Sequence, residues 1–166
     1  MSKIVFRCPQ CAKLHRGLPV IAFDAPAYYH DLTEAERASA VLTDDTCVVD
    51  GHHFVRAVLE IPIVDQAECL EWGVWGSLSR ANFERYEASF HDDNQSTLGP
   101  VFSWFASQLP GYPDASALRC NLVPQDEGAR PLIEFHADDH PLVLDQRNGV
   151  SLERAIEFVL PVLHTH

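Results

Sequence analysis

The stretch TCVVDGHHFVRAVLEIPIV, residues 46–64, predicts a pair of antiparallel strands. Apolar and polar residues alternate between Phe54 and Pro62 when the small Ala57 is counted as neutral, and this period is typical of a half-buried strand. Residues 46–50 predict the preceding strand. Asp50-Gly51 lies between the two and favours a tight hairpin turn, because both residues accept a positive φ.

Further strands and helices follow this hairpin in irregular order. Strands are predicted at residues 71–78, 118–123 and 131–136. Helices are predicted after the capping box of Thr33 and Glu36 as far as about residue 42, from Ser79 to about residue 90, at 101–109, and from Ser151 to Pro161. Because strands and helices do not alternate regularly, we expect an α+β fold, mainly an antiparallel sheet with three to four flanking helices.

The size and hydropathy of the chain indicate one soluble domain. It has 166 residues, of which 46% are hydrophobic, a length and composition that suit a single core. We expect residues 1–166 to form one domain, with 1–50 packed on a sheet and helices built from 51–166. No apolar run approaches the ~20 residues of a membrane span, and the N-terminus lacks a secretory signal. A cytoplasmic location without membrane attachment is therefore expected.

The charge of the chain is strongly acidic. Its 24 acidic and 12 basic residues give a formal net charge of −12, which repels a phosphate backbone and argues against nucleic acid as a partner. The same charge would steer the chain toward a basic protein partner.

The motif Cys8-Pro-Gln-Cys11, with His15 four residues further on, predicts a zinc-knuckle-like turn at the N-terminus. Two thiolates at this spacing can bind one cation from a tight turn, and zinc is the ion that thiolate and imidazole most often hold in a tetrahedral site. A redox pair is disfavoured, because such pairs begin a helix and Gly17 and Pro19 follow closely here.

The other two zinc ligands must come from outside the C-x-x-C motif. Cys47 lies near a turn and polar residues, so Cys8, Cys11, His15 and Cys47 form the predicted ligand set. The alternatives to His15 are His30, His52 and His53. A site with four protein ligands is closed to substrate and is therefore structural.

A second cluster, His136-Ala137-Asp138-Asp139-His140, could bind a divalent metal or supply a general base. The alternative is a solvated turn whose histidines are occupied by hydrogen bonds. The chain has no H-E-x-x-H, P-loop, G-x-G-x-x-G or G-x-S-x-G motif.

These residues together resemble an uncharacterised bacterial family, domain of unknown function 2199. The resemblance spans Phe6 to about Glu157. It is carried by Cys8, Cys11, His15, segments 24–26, 47–50, 59–63, 72–75, 77–79, 109–113 and 139–142, Arg130-Pro131 and Gln146. It implies a small bacterial protein, supports His15 and Cys47 as companions of the C-x-x-C motif, and carries no known activity. Ala12 departs from the glycine that often follows such a knuckle.

The sequence thus favours a binding or interaction module with structural zinc, such as an immunity-like protein for a basic partner. A metal-assisted hydrolase that uses residues 136–140 is the alternative, and the sequence leaves open whether the protein is an enzyme.

Overall fold

The structure, a computed structural model, describes residues 4–164 and contains ten strands and five α-helices in that range. The strands are β1 (Val5–Arg7), β2 (Leu14–Arg16), β3 (Ile21–Ala22), β4 (Val41–Leu42), β5 (Thr46–Val49), β6 (His52–Pro62), β7 (Cys69–Leu78), β8 (Val101–Phe105), β9 (Arg119–Val123) and β10 (Leu132–Phe135). The helices are α1 (Ala27–His30), α2 (Glu34–Ala38), α3 (Arg80–Ala88), α4 (Pro141–Asn148) and α5 (Leu152–Leu163), with a 3-10 turn at Gln95–Leu98.

Strands β6 to β10 close into a five-stranded barrel. Each strand pairs antiparallel with the next, and β10 returns to pair parallel with β6 through Leu132 and Val58. The predicted α+β fold, mainly an antiparallel sheet with three to four flanking helices, is therefore wrong.

The barrel closes because β6 is long enough to pair with two strands, β5 and β10, along one edge. Its first residues pair with β5 and its middle pairs with β10, while β7 runs along its whole opposite edge. An alternating pattern shows that a segment is a strand, but it does not identify the strand's neighbours.

Four local predictions also differ from the structure. The helix predicted to run to about residue 42 ends at Ala38, and Val41–Leu42 form β4. Residues 101–105 form β8 and not a helix, because Val101, Ser103 and Phe105 point inward with a period of two. Residues 141–148, where no helix was predicted, form α4. The last helix continues through Pro161 to Leu163.

The hairpin and the capping box are confirmed. Asp50 and Gly51 adopt φ values of 51° and 78°, as a tight turn between β5 and β6 requires. The Thr33 hydroxyl accepts from the Glu36 amide, and the Glu36 carboxylate accepts from the Thr33 amide.

Two hydrophobic clusters lie on opposite faces of β6 and β7. Alternate residues of β6, from Val55 to Ile61, belong to the larger cluster, which also contains Cys8 and the buried side of α5. Phe54 and Trp75 lie on the other face in the smaller cluster, which residues 23–32 cover. Within residues 4–164, no helix is long and apolar enough to cross a membrane.

Candidate metal centre

The N-terminal hairpin of β1 and β2 presents the C-x-x-C motif in a tight turn. The Cys8 amide donates to the Lys13 carbonyl at 2.8 Å, and the Ala12 amide donates to the Cys8 carbonyl at 2.9 Å. Ala12 adopts a left-handed φ of 62°. The turn therefore has the backbone form that usually places glycine at this position, although alanine occupies it.

The C-terminal end of α5 brings His164 to this turn. Ala155 and Val159 bury one side of α5 in the larger cluster, and His164 caps the helix. The Nε2 atom of His164 lies 3.3 Å from the Sγ atom of Cys8. Cys8, Cys11 and His164 form a group whose ligand atoms all lie within 4.8 Å of one another and which could hold a metal ion.

His15 lies beside the same group. Its Nε2 atom is 3.4 Å from the Sγ atom of Cys11, and its ring packs against Phe6 with the centroids 5.5 Å apart. The rings of His15 and His164 meet edge to face at 6.2 Å. The two sulfur atoms and the His164 nitrogen therefore form one close group where the hairpin meets the end of α5. The His15 nitrogen lies outside this group but next to Cys11.

Two of the sulfur–nitrogen distances match an edge of a tetrahedral zinc site. With Zn–S bonds of about 2.3 Å and Zn–N bonds of about 2.0 Å, a sulfur and a nitrogen ligand lie about 3.5 Å apart. The two sulfur–nitrogen distances are 3.3 Å and 3.4 Å. These two distances and the donor types are compatible with zinc, and Cys8, Cys11 and His164 could hold a metal ion.

The environment of Cys8 favours its thiolate. Burial opposes the charge, but hydrogen bonds from the Cys11 and Gln10 backbone and from the His164 and Cys11 side chains outweigh it. They lower the pKa of Cys8 to about 6. Zinc binds cysteine as the thiolate, so the turn presents Cys8 in a form suited to the metal.

The structure does not bring Cys47, the predicted fourth ligand, into this group. Cys47 lies in β5 opposite Phe54, fully buried in the smaller cluster, on the other face of the sheet from Cys8. Burial raises the pKa of its thiol to about 11. Its surroundings are those of an apolar core thiol.

The alternatives to His15 also lie elsewhere. The ring of His52 packs on Tyr28, that of His53 on Phe83 and that of His30 on Tyr29. Among residues 4–164, none of the three belongs to a group of potential metal ligands. His15 is likewise outside the group of Cys8, Cys11 and His164, but its Nε2 atom lies 3.4 Å from the Sγ atom of Cys11.

Sequence reasoning did not identify His164. It is 156 residues from Cys8 along the chain, and no motif joins a C-x-x-C turn to a histidine at such a distance. A histidine directly after an amphipathic helix was the only available signal, and many helices end in this way.

The His136–His140 segment has structural contacts. The Nδ1 atom of His140 accepts from the Leu142 amide at 3.0 Å, and its Nε2 atom lies 3.0 Å from the carbonyl oxygen of Asp114. Asp138 accepts from the His140 amide. His136 Nε2 lies 2.9 Å from Asn121 Oδ1. Both ring nitrogens of His140 are thus occupied, Nδ1 by the first turn of α4 and Nε2 by the loop after β8.

Comparison with known proteins assigns the chain to a family without assigning an activity. A family model described as an uncharacterized protein conserved in bacteria matches residues 7–150. The match includes Cys8, Cys11 and His15 and ends before α5. No curated protein and no solved structure matches the chain. The chain therefore belongs to the bacterial family DUF2199.

Proposed function

We propose that the protein is a binding module whose two chain ends are joined by a structural zinc ion. Cys8, Cys11, His15 and His164 are the proposed ligands. The contact between Cys8 and His164, at 3.3 Å across 156 residues of sequence, carries the proposal. Ligands come from both the N-terminal turn and the end of the last helix. This arrangement supports a role for the ion in holding distant segments of the chain together.

The donor set supports a structural role for the ion. Four protein ligands complete a tetrahedral zinc site and leave no position for water or substrate. The hairpin of β1 and β2 is small and contributes few buried side chains, chiefly Ile4, Phe6 and Cys8. A metal ion bound by both the hairpin and the end of α5 would therefore supply much of the free energy that holds the hairpin against the barrel.

Zinc content of purified variants tests the proposed ligands. We expect about one zinc ion per chain in the native protein. In Cys8→Ser and His164→Ala, we expect zinc to be lost or bound at least about ten-fold more weakly. Cys47→Ala is the matched control, because it removes a buried thiol on the opposite face. Zinc loss in Cys47→Ala with retention in His164→Ala would contradict the proposed set.

Beyond the metal, we infer that the partner is a basic protein. The formal net charge of −12 supports this. An acidic cleft of about 650 Å³ beside Tyr86 is lined by Asp92, Asp93 and Glu127. Arg130, also in its lining, is paired with Asp45 at 2.9 Å. The cleft thus has an excess of carboxylates for lysine or arginine side chains of a partner.

Binding of a decalysine peptide tests whether this cleft is the recognition surface. The cleft variant is Asp92→Asn, Asp93→Asn and Glu127→Gln. Its control, Glu34→Gln, Asp139→Asn and Glu157→Gln, removes the same charge from exposed positions outside the cleft lining. We expect the cleft variant to bind about ten-fold more weakly and the control less than about two-fold more weakly. Equal losses would show that net charge alone attracts the peptide.

An immunity-like role, in which the protein masks a basic toxin or nuclease, is the specific form of this function. A gene for such a protein beside the gene of this chain would identify the partner to test. A solitary gene would count against this form. The hydrolase alternative has less support, because one ring nitrogen of His140 caps α4 and the other contacts the loop after β8.

A further inference from the structure

A second cleft, here called the aromatic cleft, opens on the face of the sheet opposite the metal centre. It has a volume of about 950 Å³ and lies between the segment 23–31, the start of β6, the end of β8 and the loop after β8. This volume lies in the range of small-molecule sites. The aromatic cleft shares no lining residue with the acidic cleft.

The floor of the aromatic cleft is a row of side chains across three strands. Phe54 pairs with Ser77, and Ser77 pairs with Trp104, so the three side chains share one face. Ser77 is small and stands between two large aromatic residues. The short Ser77 side chain leaves the space between Phe54 and Trp104 open, whereas a bulky side chain at this position would fill it.

Aromatic rings form the walls of the cleft. Tyr28 packs on His52 with the ring centroids 4.6 Å apart, and it also contacts Phe54. Trp104, at the β8 end of the floor, is 46% exposed, whereas Trp72 and Trp75 are 1% and 0% exposed. The Trp104 ring meets Phe102 edge to face with the centroids 5.6 Å apart, and its exposed part offers aromatic surface to a ligand.

The charged groups around this cleft are acidic. Asp31 and Asp114 belong to the lining, and among the described lining residues there is no lysine or arginine. His30 and His52 are the titratable bases in the lining. The Ser116 amide donates to Asp114 and lowers the pKa of its carboxyl, so this group remains ionised. The electrostatic potential of the cleft therefore favours a cation.

We propose that the aromatic cleft binds a small organic cation with an aromatic or apolar body. The body lies between Trp104 and Phe54 over Ser77, and the amine or guanidinium group faces Asp31 and Asp114. Cation–π attraction to Trp104 and the two carboxylates both select for positive charge. The proposal is independent of the zinc ion and of the acidic cleft.

Calorimetric titration of the native protein with three probes of similar shape tests the required charge. The probes are phenethylamine, which is cationic, phenethyl alcohol, which is neutral, and 3-phenylpropanoate, which is anionic. We expect saturable binding of the amine, about ten-fold weaker binding of the alcohol, and no saturation by the anion. Equal binding of the three, or no binding of the amine up to about 10 mM, would overturn the proposal.

Two variants and a matched control test the location. Trp104→Ala removes the exposed indole, and Asp31→Asn with Asp114→Asn removes the carboxylates; each should weaken amine binding about five-fold or more. Val64→Ala is the control, because Val64 is a similarly exposed hydrophobic residue beyond the far end of β6 and outside the lining. Full amine affinity in Trp104→Ala, or an equal loss in Val64→Ala, would place binding elsewhere and contradict the assignment.

Discussion

At the scale of single residues, His140 shows how a side chain that resembles a catalytic group can serve the fold. Its Nδ1 atom accepts from the Leu142 amide, which is one of the donors left unpaired at the start of α4. Its Nε2 atom reaches the carbonyl oxygens of Pro113 and Asp114, so the ring joins α4 to the loop after β8. The imidazole therefore caps α4 and also connects this helix to the loop after β8.

We expect His140→Ala to lower the free energy of unfolding by about 1–2 kcal/mol, because a helix cap and a loop contact are both lost. Urea denaturation of the variant measures this change. Zinc content should be unaltered. Asp139→Ala, at an exposed neighbouring position, is the control and should change stability by less than about 0.5 kcal/mol. Native stability in His140→Ala would show that the cap contributes nothing.

The residues of the metal centre were predictable only where they are local. Cys8, Cys11 and His15 share one short hairpin, so their spacing in sequence determines their spacing in space. Cys47 and His164 are both distant from that turn, and the sequence favoured Cys47 for its polar neighbours. In the structure, β5 carries Cys47 to the opposite face of the sheet, while α5 carries His164 to the turn.

At the scale of elements, β6 and β7 are central to the sheet because each pairs with more than one other strand. β7 pairs with β6 along its length, with β8 at Gly76 and Ser77, and with β3 at Trp72 and Gly73. The barrel is tight at Gly76. A Cβ atom there would lie 2.5 Å from Ser103 Oγ and 3.1 Å from Leu122 Cδ2.

We therefore expect Gly76→Ala to destabilise the protein by about 1–3 kcal/mol through overpacking of the barrel interior. Ser103→Ala removes the closest atom, so the double variant should lose less stability than the sum of the two single variants. Thermal or urea unfolding of the four proteins gives this coupling. Strict additivity would mean that Gly76 and Ser103 do not meet as described.

Element types were predictable where one period dominated the sequence. The alternation in β6 and the Asp50-Gly51 turn indicated a hairpin, which the structure contains. β8 was mistaken for a helix, because Phe102, Trp104 and Phe105 fit a helical stripe as well as a strand that is aromatic on both faces. α4 was missed because its N-cap is a histidine and not one of the usual capping residues.

At the scale of the whole molecule, the proposed zinc ion joins the first hairpin to the last helix. Removal of the ion should therefore loosen both ends and leave the barrel strands in place. We expect a chelator to lower the Tm by about 5–10 °C. Hydrogen exchange should accelerate in β1, β2 and the last turn of α5, while the amides of β6 and β7 stay protected.

Added zinc should restore both the Tm and the slow exchange. A chelated protein with unchanged exchange at its ends would contradict the joining role. Loss of protection throughout β6 and β7 would instead show that the barrel itself depends on the metal.

Closure of the barrel is the property that sequence patterns did not reveal. It depends on a parallel contact between Leu132 and Val58, which are far apart along the chain. The other four pairings join strands that are consecutive in sequence, as in an open sheet. The same strand signals therefore describe an open sheet and a closed barrel equally well.

X-ray absorption at the zinc K-edge tests the central claim most directly, because it counts sulfur and nitrogen neighbours of the bound ion. The account predicts two sulfur atoms at about 2.3 Å and two imidazole nitrogen atoms at about 2.0 Å. A shell of three sulfur atoms, which would require a further cysteine such as Cys47, or a shell without sulfur would contradict it.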